Sequence, residues 1–328
     1  MRIPFETLRA EFERVLLSIG FSADRARQCA DIFASNSRDG VHTHGLNRFP
    51  VFVQYVKDGL IDPNATAEQV GGFGALEQWD GHLAPGMLSA TTCMERAMAL
   101  AGQHGIGCVA IRNTNHWMRG GTYGWQAANV GYIGICFTNT IANVPPWGGT
   151  QPRLGNNPLV IAVPRKDGHV VLDMAISQYS FGKLMQYEAA GEELPFAGGY
   201  SKAGKLTTKP GEITESWRLL PIGFWKGSGL SMMLDLLATV LSQGRSTAEI
   251  TKSKAEYGVS QVFICIKPTQ GNTEQLIEQI LEFSRSSELV DAEQPIRYPG
   301  ESTLRTRQRS LKEGIPVDEK IWEKVKGL

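Results

Sequence analysis

The spacing of apolar residues predicts the opening elements of the chain. Phe5, Leu8, Phe12, Val15 and Ile19 recur at intervals of three and four, one stripe of a helix, and Gly20 stands where that helix would stop. Ser22 can cap a second helix striped by Ala26, Cys29, Ile32 and Phe33, with Gly40 as its terminator. A third helical pattern runs from about Asn47 through Phe49, Phe52, Val53 and Val56 to Gly59, with Pro50 in its first turn, where no backbone N–H is needed. The first seventy residues therefore read as helical, and residues 86–103 predict a further helix ending at Gly105. Beyond it the pattern changes. Residues 108–111, 132–137, 159–163, 170–172 and 262–266 are short apolar runs bounded by Gly, Pro or Asn, which predicts buried strands. Helices are expected over 230–241, after a capping box of Asn272 and Gln275, and around Ile321, Trp322 and Val325. The stretch after Pro299 is polar and basic. The pattern describes an α/β protein with a helical part built from both termini (1–70 with 286–328) and a central α/β body (71–285).

Composition narrows the function classes. Lys plus Arg and Asp plus Glu both total 33, so no net field draws the chain to nucleic acid or an anionic membrane. No apolar run approaches the ~18 residues that span a bilayer, and the charged start lacks the apolar core of a signal peptide. The five cysteines are odd in number and lack metal-ligand or redox spacing, which suits a reducing compartment, and a cytoplasmic location is expected. What remains is an enzyme or small-molecule binder. Its 36 glycines are unusually many, so numerous backbone positions must turn sharply or admit close approach.

The common nucleotide-binding signals fail. Gly105-Ile-Gly107-Cys-Val-Ala110 matches a dinucleotide fingerprint by letters, but a helix precedes it and a strand follows, the reverse of what the fingerprint requires. No P-loop or nucleophile elbow is found, and the Ser-x-x-Lys at Ser180 lacks its partner motifs.

Other segments carry chemistry. His42-Thr-His44-Gly-Leu-Asn-Arg48 sets two histidines and an arginine in a turn entering a helix. An arginine can hold a carboxylate through two parallel hydrogen bonds, and a histidine four residues away can exchange a proton with the neighbouring oxygen. A polar turn whose histidines cap helix ends is the plainer alternative. His42 and His44, with His116, Asp173 or Glu301, could instead share a metal, as in a hydrolase. Asn113-Thr-Asn-His116-Trp-Met-Arg119-Gly-Gly follows a predicted strand, where a rigid sheet can present a functional loop. Residues 138–159 are rich in Asn, Pro and Gly and could form turns or line a polar pocket. Phe224-Trp-Lys226-Gly-Ser-Gly229 precedes the predicted helix and could bind an anion at its N-terminus.

Taken together these residues resemble the malate/L-lactate/sulfolactate dehydrogenase family, which lacks a Rossmann fold. The resemblance spans the chain through HGLNRFP, GALEQWD, RNTNHWMRGGTYGWQAANVGYIGIC, PPWG, NPL, FWKGSG, EYGVSQVFI and GIPVDEKIW. It implies a helical domain joined to a mixed, largely antiparallel sheet domain of the L-sulfolactate dehydrogenase type. It also implies NADH, or NADPH, bound near a homodimer interface, and a 2-oxo acid substrate, expected to be a diketo sugar acid. His44 falls on the family's acid/base histidine; Arg48 and His116 match substrate-binding positions. Cofactor contacts fall on His169, Val170, Val171, Leu172, Asp173, Met174 and Ala175, on Trp225 and Lys226, and on Gly300, Glu301 and Ser302. Within the family, malate, lactate or ureidoglycolate dehydrogenases and cyclic imine reductases are the alternatives; a metal-dependent hydrolase or a non-catalytic sugar-acid binder lies further off. Thr43 where serine is usual, Thr150-Gln-Pro152 and GNNP depart from the pattern near the substrate, and PGES and a longer 165–168 loop depart from it near the cofactor.

Overall fold

A computed structural model describes residues 1–269 and 271–328. Three helices open the chain: α1 (Phe5–Ser18), α2 (Ala23–Arg38) and α3 (Phe49–Lys57). Their stripes are the faces that pack. Phe12, Phe33 and Phe49 meet with ring centroids 4.3–5.8 Å apart, inside a core that includes Leu8, Val15 and Cys29. The chain then crosses to a sheet. Strands β1 (Glu68–Phe73) and β2 (Leu76–Asp80) form a hairpin, α4 (Gly86–His104) leads to β3 (Ile106–Thr114), and α5 (Gly121–Asn129) precedes β4 (Ile133–Thr138), β5 (Leu159–Val163) and β6 (Val170–Met174). An excursion containing α6 (Phe181–Ala190) and α7 (Pro210–Ser216) has a small core of its own around Leu184, Leu194 and Ile213. Then α8 (Trp225–Ser242) and α9 (Thr247–Lys252) lead to β7 (Val259–Ile266), and α10 (Thr273–Arg285), α11 (Glu301–Glu313) and α12 (Glu319–Lys326) close the chain. Trp322 and Val325 of α12 enter the core of α1–α3, and Arg2–Ile3 pairs with Ile315–Pro316, so both chain ends build the helical layer.

The seven strands run in the order β1-β2-β3-β7-β4-β5-β6. Only β2 and β3 are parallel neighbours; the other pairings are antiparallel. This is the mixed, largely antiparallel sheet that the resemblance implies. Alternation sends Phe263 and Cys265 of β7 to one face, against Met94 and Ala97 of α4, and Val262 to the other, against Leu234 and Ala238 of α8.

Several expectations need correcting. Strand β1 begins at Glu68, inside the stretch read as helical, and the hairpin was not predicted because most of its first strand is exposed and lacks an apolar face. Asn272 precedes α10 but makes no side-chain capping bond. The polar stretch after Pro299 forms a full helix, α11. Helix α8 starts at Trp225, five residues early, so Lys226-Gly-Ser-Gly229 is its first turn and no loop in front of it. Gly227 is required there because a Cβ would collide with the carbonyl oxygen of Ile222.

Candidate active site

The histidines come together where the helical layer meets the sheet. His44 ends a 3-10 turn (His42–His44), and its carbonyl accepts the Asn36 amide at 2.9 Å. Asn36 in turn accepts the Thr122 hydroxyl at 3.0 Å, which ties the turn to α5. His116 sits in the loop after β3. That loop is fixed by Asn115, whose amide donates to the carbonyls of Leu60, Leu83 and Ala84, and by the Tyr123 hydroxyl, which donates to the Trp117 carbonyl at 2.6 Å. Met118 holds the loop in a left-handed turn at φ 66, a conformation a non-glycine residue adopts at a cost. The two rings stack 5.5 Å apart, 11° from parallel.

Protonation follows from these contacts. Burial pushes His44 down to about 4; Asp173 opposes the shift, and Arg48 and Arg119 add to it. Burial also holds His116 well below the usual imidazole range, helped by Arg48 and His44. Both rings are therefore neutral near pH 7. The Met118 N–H donates to His116 Nδ1 at 3.0 Å, so the neutral ring carries its proton on Nε2. Thr43 Oγ1 lies 3.1 Å from His44 Nδ1, which leaves His44 Nε2 for a ligand.

Arg48 stands at the start of α3, close enough to lower both histidines, and its guanidinium has no ion-pair or hydrogen-bond partner among the described residues. The contrast with Arg119 is instructive. Arg119 donates to Asp39 at 2.8 Å and lies 3.4 Å from Asp173, while Arg307 grips both Asp39 oxygens at 2.7 and 2.8 Å. Burial raises the Asp39 carboxyl, but Arg307, Arg119 and Arg38 together hold it below its ordinary range. The Arg119 and Arg307 guanidiniums are ion-paired inside the protein, whereas that of Arg48 is not.

The expected cofactor segments also converge. Residues 169–175 contain β6, the last strand of the sheet. The Val171 N–H donates outward to the Pro299 carbonyl at 2.8 Å, so alternation turns the N–H and C=O of Asp173 to the free edge. Gly300 packs on this strand at φ 97; a Cβ there would lie 3.1 Å from both His169 O and Val171 N. At the opposite end the Ile222 N–H, three residues ahead of Trp225, donates to the Ile176 carbonyl at 3.0 Å. Asp173 joins the two groups of residues: its side chain accepts the Gly121 N–H at 2.9 Å and its charge reaches His44. The Glu301 carboxylate is engaged by Arg285 at 3.2 Å and by Arg305 at 2.5 Å.

Two sequence expectations resolve into structure. The amides of the 138–159 loop serve mainly as braces: Asn139 donates to Asp235 and the Arg245 carbonyl, and Asn157 to the Ser231 carbonyl, fastening α8 to the sheet. No group of three or more His, Cys, Asp or Glu is placed to hold a metal among the described residues, and His42 Nδ1 is buried with no hydrogen-bond partner there.

The sequence pattern described as malate/L-lactate dehydrogenase matches residues 3–326. The chain belongs to the malate/L-lactate dehydrogenase family. It is 47% identical to a 2,3-diketo-L-gulonate reductase of Citrobacter koseri, with all of both chains covered. Among solved structures, a malate dehydrogenase from Entamoeba histolytica superposes with a TM-score of 0.94 at 26% identity, covering 100% of this chain and 96% of the other. The sulfolactate dehydrogenase from Methanocaldococcus jannaschii gives 0.88 at 28% identity, covering 99% and 95%. The family explains the absent fingerprint, because its sheet is not the doubly wound parallel one that the motif serves. The chain is therefore an oxidoreductase of a pyridine-nucleotide-dependent dehydrogenase family.

Sequence reasoning gave Glu256 and Arg119 no role of their own, although EYGVSQVFI and NHWMRGG contain them, and it passed over Asp39. Glu256 Oε1 lies 3.9 Å from His116 Nε2, its Oε2 accepts the Ile141 N–H at 3.1 Å, and Arg48 acts on its charge. An acidic residue just ahead of an apolar strand was the available signal.

Proposed function

We propose that the protein reduces the ketone of a 2-oxo acid with NADH, NADPH being the alternative donor, and that the acid is 2,3-diketo-L-gulonate or a related sugar acid. The observation that carries this reading is Arg48: a guanidinium without a protein partner beside two neutral stacked imidazoles. A carboxylate bound there by the planar fork places the adjoining carbonyl against the rings. The 47% identity to a 2,3-diketo-L-gulonate reductase supports the substrate class.

The residues fit a dinucleotide. The free edge at Asp173 offers one N–H and one C=O, Gly300 lets its turn pack directly on β6, and the buried Trp125 Nε1 beside it has no partner among the described residues. Residues 169–175 and 300–302 would hold it along β6, with Trp225 and Lys226 at the far end. Nicotinamide, when bound, supplies the hydride. His44 delivers a proton from Nε2 to the ketone oxygen, and His116 Nε2–H positions the substrate. Asp173 stabilises the His44 imidazolium from which that proton leaves.

A homodimer is part of the reading. Helix α8 buries its small residues, Gly227, Ser228, Ser231 and Ala238, and turns Trp225, Met232, Met233, Leu236, Leu237 and Val240 outward. Large apolar side chains on the exposed face of a helix fit a second copy of the chain. All five cysteines are unpaired, which supports a cytoplasmic location; no helix among the described residues is long and apolar enough to cross a membrane. The test is a panel of 2-oxo acids assayed by NADH and NADPH consumption. Turnover of sugar acids that is lost in His44→Ala is the expected result; no consumption with any acid refutes the reading.

A further inference from the structure

The proposed reduction employs His44, Arg48 and the nicotinamide, and leaves Glu256 without a task. Its side chain is only 15% exposed. Oε2 accepts the Ile141 N–H at 3.1 Å, so Oε1 is the free oxygen, and it lies 3.9 Å from His116 Nε2. The Met118 N–H occupies the other nitrogen of His116, so the ring proton is on Nε2 and is free as well. A gap of 3.9 Å is too long for a hydrogen bond between the two groups. One oxygen atom lying off the line between them can be within reach of both, as a bridging water is.

Charge decides which oxygen the gap takes. Burial raises the Glu256 carboxyl, and the charge of Arg48 is the main force against it, ahead of the Ile141 N–H. A substrate carboxylate seated on Arg48 neutralises that charge and brings an anion close, so binding itself favours a proton on Oε1. The acid O–H and the imidazole N–H are then two donors meeting at one gap. A carbonyl oxygen has two lone pairs and no proton, and it takes both. A hydroxyl can accept both but leaves its own proton over, and a methylene leaves both donors unmet. The place fits a substrate with vicinal oxygens. Arg48 acts on His44, His116 and Glu256 alike, and the two rings stack 5.5 Å apart. With the carboxylate on Arg48 and the reacting ketone on His44, the oxygen of the next carbon falls beside His116.

We propose that Glu256, as a carboxylic acid, and His116 together bind the second carbonyl oxygen of a 2,3-dioxo acid, so that the pair selects such acids over 2-oxo acids with no oxygen on the third carbon. This rests on the reading of Arg48 as the carboxylate anchor and His44 as the proton donor. Leaving buried donors unpaired is costly, which makes such a site a strong discriminator.

Three probes share one skeleton: 2,3-diketo-L-gulonate, 2-keto-L-gulonate with a hydroxyl on the third carbon, and 3-deoxy-2-keto-L-gulonate with no oxygen there. For each, kcat/KM is measured with NADH and with NADPH, and Kd by tryptophan fluorescence without cofactor. Wild-type protein is expected to favour the diketo acid over the deoxy acid about ten- to hundredfold in both quantities, with the hydroxyl acid between them. In Glu256→Gln the side-chain carbonyl can accept the Ile141 N–H, which turns the amide N–H2 to the gap in place of the acid O–H, so the preference should persist within about threefold. Glu256→Leu removes the donor and should abolish most of the preference. Glu256→Asp draws the acid back by one methylene and should lower it several-fold even if the leucine variant fails to fold. Turnover of the diketo acid with no preference in wild-type protein, with the hydroxyl acid placed first, with the preference lost in Glu256→Gln, or with it undiminished in Glu256→Asp overturns the subsite and leaves the reductase reading standing. Absence of turnover of all three acids with either cofactor, together with the expected order of Kd values in wild-type and variant proteins, overturns the reductase reading and leaves the subsite.

Discussion

In the proposed role of proton donor, His44, pushed down to about 4, would be nearly idle at neutral pH unless the bound substrate raised it. His44 is depressed first by burial and then by the charges of Arg48 and Arg119. A substrate carboxylate bound to Arg48 cancels one of those charges and adds an anion near the ring. At about 5 Å and an effective dielectric of about 20, that anion contributes about 3 kcal/mol, roughly a hundredfold in the protonation equilibrium. The imidazolium is then populated up to near pH 6 in the complex. Reduction consumes the imidazolium, so its rate falls as pH rises through the pKa, and oxidation, which needs the neutral ring, falls in the opposite direction. Profiles of kcat/KM report the free enzyme and profiles of kcat the complex. The assay is oxo-acid reduction followed by NADH absorbance from pH 4 to 9. The falling limb of kcat should lie about two pH units above that of kcat/KM, and Asp173→Asn should move both limbs to lower pH by removing the charge that supports the imidazolium. Coincident limbs in the wild type would refute substrate-assisted protonation, and an unmoved profile in Asp173→Asn would remove that carboxylate from it.

Three further outcomes are expected. Arg48→Lys keeps the charge but loses the planar fork, so kcat/KM for the oxo acid should drop at least about tenfold; unchanged kinetics would count against carboxylate binding there. Lys226→Ala should weaken NADH binding about tenfold or more, by loss of a charged hydrogen bond, as read by fluorescence titration, and an unaltered affinity removes Lys226 from the site. Asp39→Asn strips the charge that Arg38, Arg119 and Arg307 share in a buried setting, and should cost about 3–5 kcal/mol in urea denaturation; a loss under about 1 kcal/mol would show the cluster to be of little structural weight.

What the chain discloses of its own fold depends on which face of each element is apolar. Helices α1–α3 bury one stripe each, so their period of three and four was readable, down to Gly20 and Pro50. Strands β3 and β7 were found by their apolar centres but drawn short, because Thr114, Ser260 and Gln261 at the ends are polar yet buried, the last two with hydrogen bonds to Asn139 and Asn115. Helix α8 was read late for the opposite reason. Its first turn buries glycine and serine instead of large apolar residues, so it looks like a loop. Helix α11 has a single fully buried residue, Ser310, and offers almost no stripe.

The site divides along a similar line. His44, Arg48 and His116 could be picked out because their chemistry is distinctive and two of them lie four residues apart. Glu256 opens the EYGVSQVFI stretch, but its partner could not be read, because its neighbourhood is made by strand order. Strands β3 and β7 pair antiparallel with Val259 opposite Thr114, so the end of one lies beside the start of the other. His116, two residues past Thr114, and Glu256, three residues before Val259, are thereby carried to the same edge of the sheet. Apolar periodicity identifies each strand but says nothing about which strands are neighbours, and that pairing is what turns a residue at the head of an apolar run into a partner for a histidine far away in the chain. The same holds for Asp173, whose peptide faces outward only because β6 is the last strand. The candidate site is thus written locally in its distinctive side chains, and topologically in the groups that strand order brings beside them.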